Sequence, residues 1–339
     1  MSLPLTATLF YKSAYPGVIS AFSSLPRPQP LDVAYCARAH LALTPPSISS
    51  ALSLVQQHSD SLGPTSSKAL QAFARVVEAT SAAAGGDGEE VDLSTQVSAL
   101  ADLHAEGEER EHYDGEMELL ECLLATTQWL DQDPLGALET LKMGTCTQRN
   151  LGSLSLGIHL LLLNHRLDLA TKEYEAARSW ADDSLVIQLI EASLGLYSGG
   201  RAAQQAYYVY DEFASPSATS EDGKQGRAAA MKLGRGVALM KRGEWGKAEE
   251  GLREAGTGLQ QAGDGQGTGP IERDIQANLA VAALHLNPAS KLENAGQEHL
   301  DRLATPAPPH QLHTSLAEMS RRFDGLVASR AVVAASGDA

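Results

Sequence analysis

Basic residues are scarce in this chain: 26 Lys and Arg stand against 42 Asp and Glu, for a formal charge of −16 and a pI near 5.0. So acidic a surface repels phosphate backbones and anionic headgroups, which excludes a nucleic-acid or anionic-membrane binder and points to protein partners. Cysteine is nearly absent. Cys36, Cys122 and Cys146 lie 86 and 24 residues apart, which gives neither a disulfide framework nor a zinc knuckle; they are expected as small core residues in a reducing compartment. Long apolar runs are missing too, since the longest, Ile158 to Leu163, is interrupted by His159, and the opening MSLPLTATLFYKSAYPG sets no basic segment ahead of an unbroken apolar stretch. The expectation is therefore no secretion leader and no membrane span, with any membrane association borrowed from a partner. Aromatics make up 5%, and no stretch alternates apolar and polar residues for more than a few positions, which leaves little room for strands. Leu31 to Leu43, the most ambiguous segment, is predicted as helix.

What the chain does have is a spacing that recurs. Ala137, Ala170, Ala206 and Ala248 stand 33, 36 and 42 residues apart, each followed four residues later by a bulky side chain (Leu141, Tyr174, Tyr210, Leu252) and seven later by Gly144, Ala177, Phe213 and Ala255. A small residue where two helices cross, with larger ones further along the same face, is the tetratricopeptide pattern, a helix-turn-helix unit of about 34 residues. The copy ending at Ala255 is the most regular: Gly236 twelve residues before Ala248, Gly243 in the turn, and Trp245 three residues before Ala248, expected between its own unit and the next. The other copies carry Ala125, Ile158 and Leu194 where Gly236 stands. Near the N-terminus, Tyr15, Val18 and Phe22 repeat the spacing of Trp245, Ala248 and Leu252, so the array is expected to begin almost at the first residue.

Each such unit needs neighbours to bury its face, so 339 residues are expected to form one all-α, tetratricopeptide-like right-handed solenoid rather than two domains. The clearest repeats span 122–255, C-terminal capping helices 271–330, and flexible insertions 84–90, 215–226 and 262–270, where Gly, Ser, Pro and Asp concentrate. Repeat packing is assigned to Ala137, Ala170, Ala206, Gly236, Trp245, Ala248, Leu252 and Ala255.

Reactive constellations are weak. His104, Glu108 and His112 share a helical spacing, with Glu111 beside them, but Asp102 to Glu121 carries nine acidic residues and one Arg, which predicts a solvated acidic face weakened as a helix by Gly107. The glycines at 263, 265, 267 and 269 are followed by Pro270 and no Lys-Ser/Thr, so they form a linker and not a phosphate loop. Ser155 in GSLSLG has Ser153 where a nucleophile elbow requires Gly, and is expected on a helix surface. His159 is expected packed or groove-facing. No nucleophile, base and orienter assemble, so neither enzyme nor cofactor is predicted.

The first helix of each tetratricopeptide unit lines the concave side. In the register of Gly236 the groove positions are Ala230, Leu233, Val237, Met240 and Lys241; the preceding units present His159, Leu162 and Leu163, then Gln188 and Glu191. This apolar strip with a polar end suits an amphipathic segment of a partner, and Met suits an adaptable surface. A chaperone-tail adaptor would instead need Lys, Arg and Asn at these positions, which hold mostly apolar or acidic residues.

The stretch LLNHRLDLATKEYEAARSWADDSLVIQLIEASLGLYSGGRAAQQAYYVYDEFA, Leu162 to Ala214, resembles the epsilon subunit of coatomer, a family with an LDLA-KE segment, an acidic stretch, a Gly-Gly turn and an AYY-containing segment in this order. LFYKSAYPGVI (Leu9 to Ile19) is similar to that family's opening helix pair, GRGVALMKRGEWGKAEEGLREA (Gly234 to Ala255) to its most regular repeat, and RRFDGLV, around Arg322 and Phe323, to its closing helix. The segment from Leu52 to Glu121 departs most. The resemblance implies a non-enzymatic helical-repeat protein that clasps the C-terminal domain of the alpha subunit and, through it, joins the rest of coatomer. It further implies a cytoplasmic protein, peripheral on Golgi membranes and COPI-coated vesicles, acting in Golgi-to-ER retrograde and intra-Golgi transport. The alternative is a generic tetratricopeptide adaptor or co-chaperone scaffold.

Overall fold

The structure, a computed structural model, describes residues 3–83, 91–109, 115–215, 229–261, 270–286, 296–304 and 310–336. Most of the three expected insertions, and the Glu111 and His112 of the acidic stretch, lie outside the described residues. Among the described residues there are seventeen helices and no strand. The chain opens with α1 (Leu5–Tyr11), α2 (Tyr15–Ser23), α3 (Pro30–Ala42), α4 (Ile48–Gln57), α5 (Ser59–Ala83) and α6 (Ser94–Glu108). Five pairs follow: α7 (Glu116–Leu130) with α8 (Pro134–Thr140), α9 (Leu151–Leu163) with α10 (Leu167–Ala181), α11 (Leu185–Ser198) with α12 (Gly200–Ala214), α13 (Ala229–Lys241) with α14 (Trp245–Gln261), and α15 (Pro270–Leu286) with α16 (Gln297–Ala304). A long α17 (Gln311–Ser336) ends the chain.

The repeat is a packing rule. Ala137, Ala170, Ala206 and Ala248 sit on α8, α10, α12 and α14, each at most 1% exposed, because only a methyl fits where the second helix of a pair crosses the first. A side chain on Gly236 would place its Cβ 2.7 Å from a Leu252 methyl, so α13 and α14 approach through that glycine. Leu252 and Ala255 are likewise fully buried. In α11 the close approach belongs to Gly195, one residue beyond the Leu194 that the spacing singled out: a Cβ there would lie 2.6 Å from the Ala202 carbonyl oxygen. Gly195→Ala should therefore cost about 1–3 kcal/mol through backbone displacement, whereas Gly258→Ala, in open space on α14, should add about 0.5–1 kcal/mol; urea unfolding checks both.

The turn between the helices of a pair needs one residue in the left-handed region. Gln132, His165, Gly199 and Gly243 fill that place with φ between +58° and +78°, and Ser13 does so between α1 and α2 with φ +55°. Acidic residues lock the loops. Asp133 caps α8 by accepting from Gly136 N, and Asp32 both closes the capping box of α3 and accepts the buried Thr6 hydroxyl of α1.

Several positions differ from expectation: in the acidic stretch Glu116 and Glu121 are 3% and 1% exposed and hydrogen-bonded within the fold, so it is not a solvated face throughout. Gly144 lies beyond α8 in an exposed loop with φ +88°, its N–H held by the Glu173 carboxylate, because α8 stops at Thr140. Cys146, in the same loop, is half-buried rather than a core residue, unlike Cys36 and Cys122. Gly107 does not weaken α6; it is buried against Leu120 and Met117 of α7, where a Cβ would come within 2.7 Å. Trp245 is half-buried, its indole stacked on the His285 ring of α15 at 3.8 Å and 4°, because the first turn of α14 faces the rim of the next unit. Trp245→Ala should thus cost about 1–2 kcal/mol, roughly half of what a fully buried tryptophan loses.

Candidate partner-binding groove

The α9 sequence LGSLSLGIHLLLL is apolar on nearly every face, so one side buries against α10 and another is left toward the concave surface. Ser155, Ile158, His159 and Leu162 of α9 form one wall of a groove of about 290 Å³. Val186, Leu189, Ile190 and Ser193 of α11 form its floor at the i, i+3, i+4, i+7 spacing of one helix face. Tyr210 of α12 and Met231 of α13 line it as well, as do Tyr11 and Ser13 of the N-terminal pair, Tyr11 packed on α9 beside Gly152.

The groove is apolar at its base and polar at its rim. Ile158 and Ile190 are buried, while His159 presents an exposed edge to the opening. The surrounding walls strip water from the His159 imidazole and hold its pKa below the usual histidine value; burial does the same to His40 and, with Arg253 nearby, to His299. Since these three resist protonation when folded, the unfolded chain binds more protons below about pH 6.5. Stability should fall as pH drops through that range, and a His40→Gln, His159→Gln variant should flatten the dependence of Tm between about pH 7 and pH 5.

Beside the groove a polar lattice fixes the N-terminal pair. Glu118 of α7 accepts from the Tyr35 hydroxyl at 2.9 Å and the Tyr11 hydroxyl at 3.2 Å through one oxygen, and from Gly152 N at 2.9 Å through the other. Burial, reinforced by Glu118, pushes both phenols above the usual tyrosine value, so they stay neutral donors. The Arg38 guanidinium lies 4.6 Å from the Phe10 ring centre.

Of the sequence-assigned groove residues, the structure brings together His159 and Leu162. Leu163 ends α9 outside the groove, 51% exposed. Gln188 is half-buried outside it, and Glu191 faces Tyr174 of α10, whose phenol burial and this carboxylate push up to about 12. Leu233 and Met240 pack against the cluster of Leu252, Ala255, Ile275 and Leu279, and half-buried Val237 and exposed Lys241 are no part of the groove. The reason is geometric: α13 packs chiefly on α12 and α14, so only its first turn, through Met231, reaches the groove. Tyr11, Ser13, Ser155, Ile158, Val186, Leu189, Ile190, Ser193, Tyr210 and Met231 line the groove without having been assigned to it; Gly195, which moves the α11 register one residue on, signals Leu189 alone.

A second depression of about 340 Å³ lies between α12 and α14, lined by Tyr207 and Tyr208. Its cations are already paired, Arg235 with Asp211 at 3.0 Å, Arg242 with Glu244 at 2.6 Å and Lys247 with Glu244 at 2.7 Å, so it offers neither an apolar floor nor an open charge. On α17, Leu316, Met319 and Phe323 are 41%, 61% and 66% exposed, so beyond its first turn this helix projects rather than caps the solenoid. Among the described residues no group of His, Cys, Asp and Glu could hold a metal, and no helix is long and apolar enough to cross a membrane.

Paired helices stacked on small residues define a tetratricopeptide-like helical scaffold. The chain belongs to the coatomer epsilon subunit family, whose sequence pattern it matches over residues 6–331. It is 23% identical over 325 residues to coatomer subunit epsilon-2 of Oryza sativa subsp. japonica, covering 93% of this chain and 92% of the relative. It is 26% identical over 178 residues to coatomer subunit epsilon-2 of Arabidopsis thaliana, a match that spans about half of that relative (51%) and 51% of this chain. Over 77 residues it is 30% identical to the probable coatomer subunit epsilon of Schizosaccharomyces pombe, covering 22% of this chain and 26% of that one. Among solved structures, a chain in the crystal structure of the APC/C hetero-tetramer Cut9-Hcn1 superposes with a TM-score of 0.55 at 11% identity, covering 93% of this chain and 54% of that one, a likeness of fold alone. Membership makes the chain a component of the coatomer coat, with a structural role.

Proposed function

We propose that this chain is the coatomer component that binds and stabilises the C-terminal domain of the alpha subunit, seating an apolar segment of it in the groove between α9 and α11. The observation that carries the reading is an apolar base of Ile158, Leu189 and Ile190 open to the concave side of a scaffold that belongs to the coatomer epsilon family. His159 and Leu162 remain partner residues in it, while Leu163, Gln188, Glu191, Leu233, Val237, Met240 and Lys241 fall outside. Through the alpha subunit the chain joins the rest of coatomer, sits peripherally on Golgi membrane and COPI-coated vesicles, and serves Golgi-to-ER retrograde and intra-Golgi transport. The acidic surface keeps direct lipid contact unfavourable, so membrane attachment comes from the partner.

A chaperone-tail adaptor would need cations and amides to grip a terminal carboxylate, and among the described residues His159 is the one basic side chain lining this groove. Affinity capture with mass spectrometry separates the readings: recovery of the alpha subunit with other coatomer subunits is expected, and recovery of chaperones alone would overturn the proposal.

A further inference from the structure

The first helix pair of a repeat array ordinarily meets only the next pair, yet here the end of α1 and the turn after it reach α7, α9 and α12. Tyr11 reaches Glu118, 107 residues away, and Leu3 and Tyr11 pack on the cluster built by α9, α10 and α11. Lys12, next in sequence, sets its ammonium 5.0 Å from the centre of the Phe213 ring on α12. Desolvation there lowers the Lys12 pKa, with Glu212 opposing the shift, so the side chain is seated against α12 rather than extended into water. Ser13, the next residue, lines the same groove as His159.

Resting on the groove reading above, we propose that the Tyr11–Ser13 turn is a wall of the partner site: Ser13 contacts the bound apolar segment, and Lys12, through its seat over Phe213, is a positioning residue that sets the width of the opening. The tetratricopeptide groove alone would be open on this side. With the turn in place the partner's side chains enter a space of about 290 Å³ whose lining includes Tyr11, Ser13, Ser155 and His159. A short run of apolar side chains fits such a slot, and a charged one does not.

The test uses the full-length chain, with the recombinant C-terminal domain of the alpha subunit as probe and affinities from isothermal titration. Asp and Asn both tolerate the left-handed backbone that Ser13 adopts, so Ser13→Asp changes charge without breaking the turn. Ser13→Asp should weaken the complex at least about tenfold, while Ser13→Asn stays within about twofold of wild type. Lys12→Met should lose about two- to fivefold and Lys12→Arg should restore the wild-type value, since Arg keeps the ring contact; a merely structural lysine would not show that rescue. Circular dichroism and Tm confirm that each variant is folded. Wild-type affinity in Ser13→Asp, with His159→Glu weakened, would overturn the inference and leave the groove reading standing. Wild-type affinity in both would overturn the groove reading itself.

Discussion

Glu121→Ala should lower the unfolding free energy by about 3–5 kcal/mol, the scale for removing one partner of a buried charged network. Glu121 of α7 is 1% exposed and accepts from Lys142 Nζ at 3.2 Å, from Gln148 Nε2 at 3.1 Å and from Asn150 Nδ2 at 3.1 Å. It ties α7 to the loop that leads into α9. Lys142, 45% exposed, can swing into water when the carboxylate is removed, but Gln148, 4% exposed, cannot, so one N–H of its amide would lose its acceptor while the other keeps the Leu141 carbonyl. Glu106→Gln, on the exposed face of α6, should change stability by less than about 0.5 kcal/mol. Chemical denaturation with the same probe for both variants checks the contrast.

Leu189→Glu and His159→Glu should each weaken the complex with the C-terminal domain of the alpha subunit by more than about 2 kcal/mol, because a carboxylate would be desolvated in the groove without a partner. His159 presents an exposed edge, so its variant should keep the Tm of the wild type; half-buried Leu189 touches the cluster around Tyr210 and should also lose some stability. Leu163→Glu, on the same helix as His159 but outside the groove, should leave affinity nearly unchanged, as should Glu108→Gln with Glu109→Gln on the acidic face. Met240→Glu should act on folding instead, since Met240 packs against the cluster of Leu252, Ile275 and Leu279. Affinities and unfolding curves measured on the same preparations separate the two kinds of effect.

The architecture was legible because it rests on residues that packing restricts. A methyl at Ala137, Ala170, Ala206 and Ala248 is required by helix crossing, and that requirement survives when little else of the repeat does. The turn position was harder to see. Gly199 and Gly243 announce it, but Gln132, His165 and Ser13 hold the same left-handed conformation at a modest cost and carry no glycine signature. The groove was legible only in part, because helix register fixes which side of a helix faces inward but not how far consecutive helices diverge. His159 and Leu162 fell in place on α9; on α11 the choice between Leu194 and Gly195 as crossing residue decided between Gln188 and Leu189. On α13, preference for α12 over α11 removed Val237 and Met240 from the site, and the contribution of Tyr11 and Ser13 depended on a contact across more than a hundred residues.

The central claim is that this scaffold holds the alpha subunit directly. Isothermal titration of the purified chain with the recombinant C-terminal domain of the alpha subunit, at two temperatures so that a vanishing enthalpy cannot hide binding, tests it most directly. The account predicts one-to-one saturation with a negative heat-capacity change, the mark of apolar surface buried in the groove. Absence of heat at both temperatures, with the two proteins eluting separately from a sizing column, would contradict it.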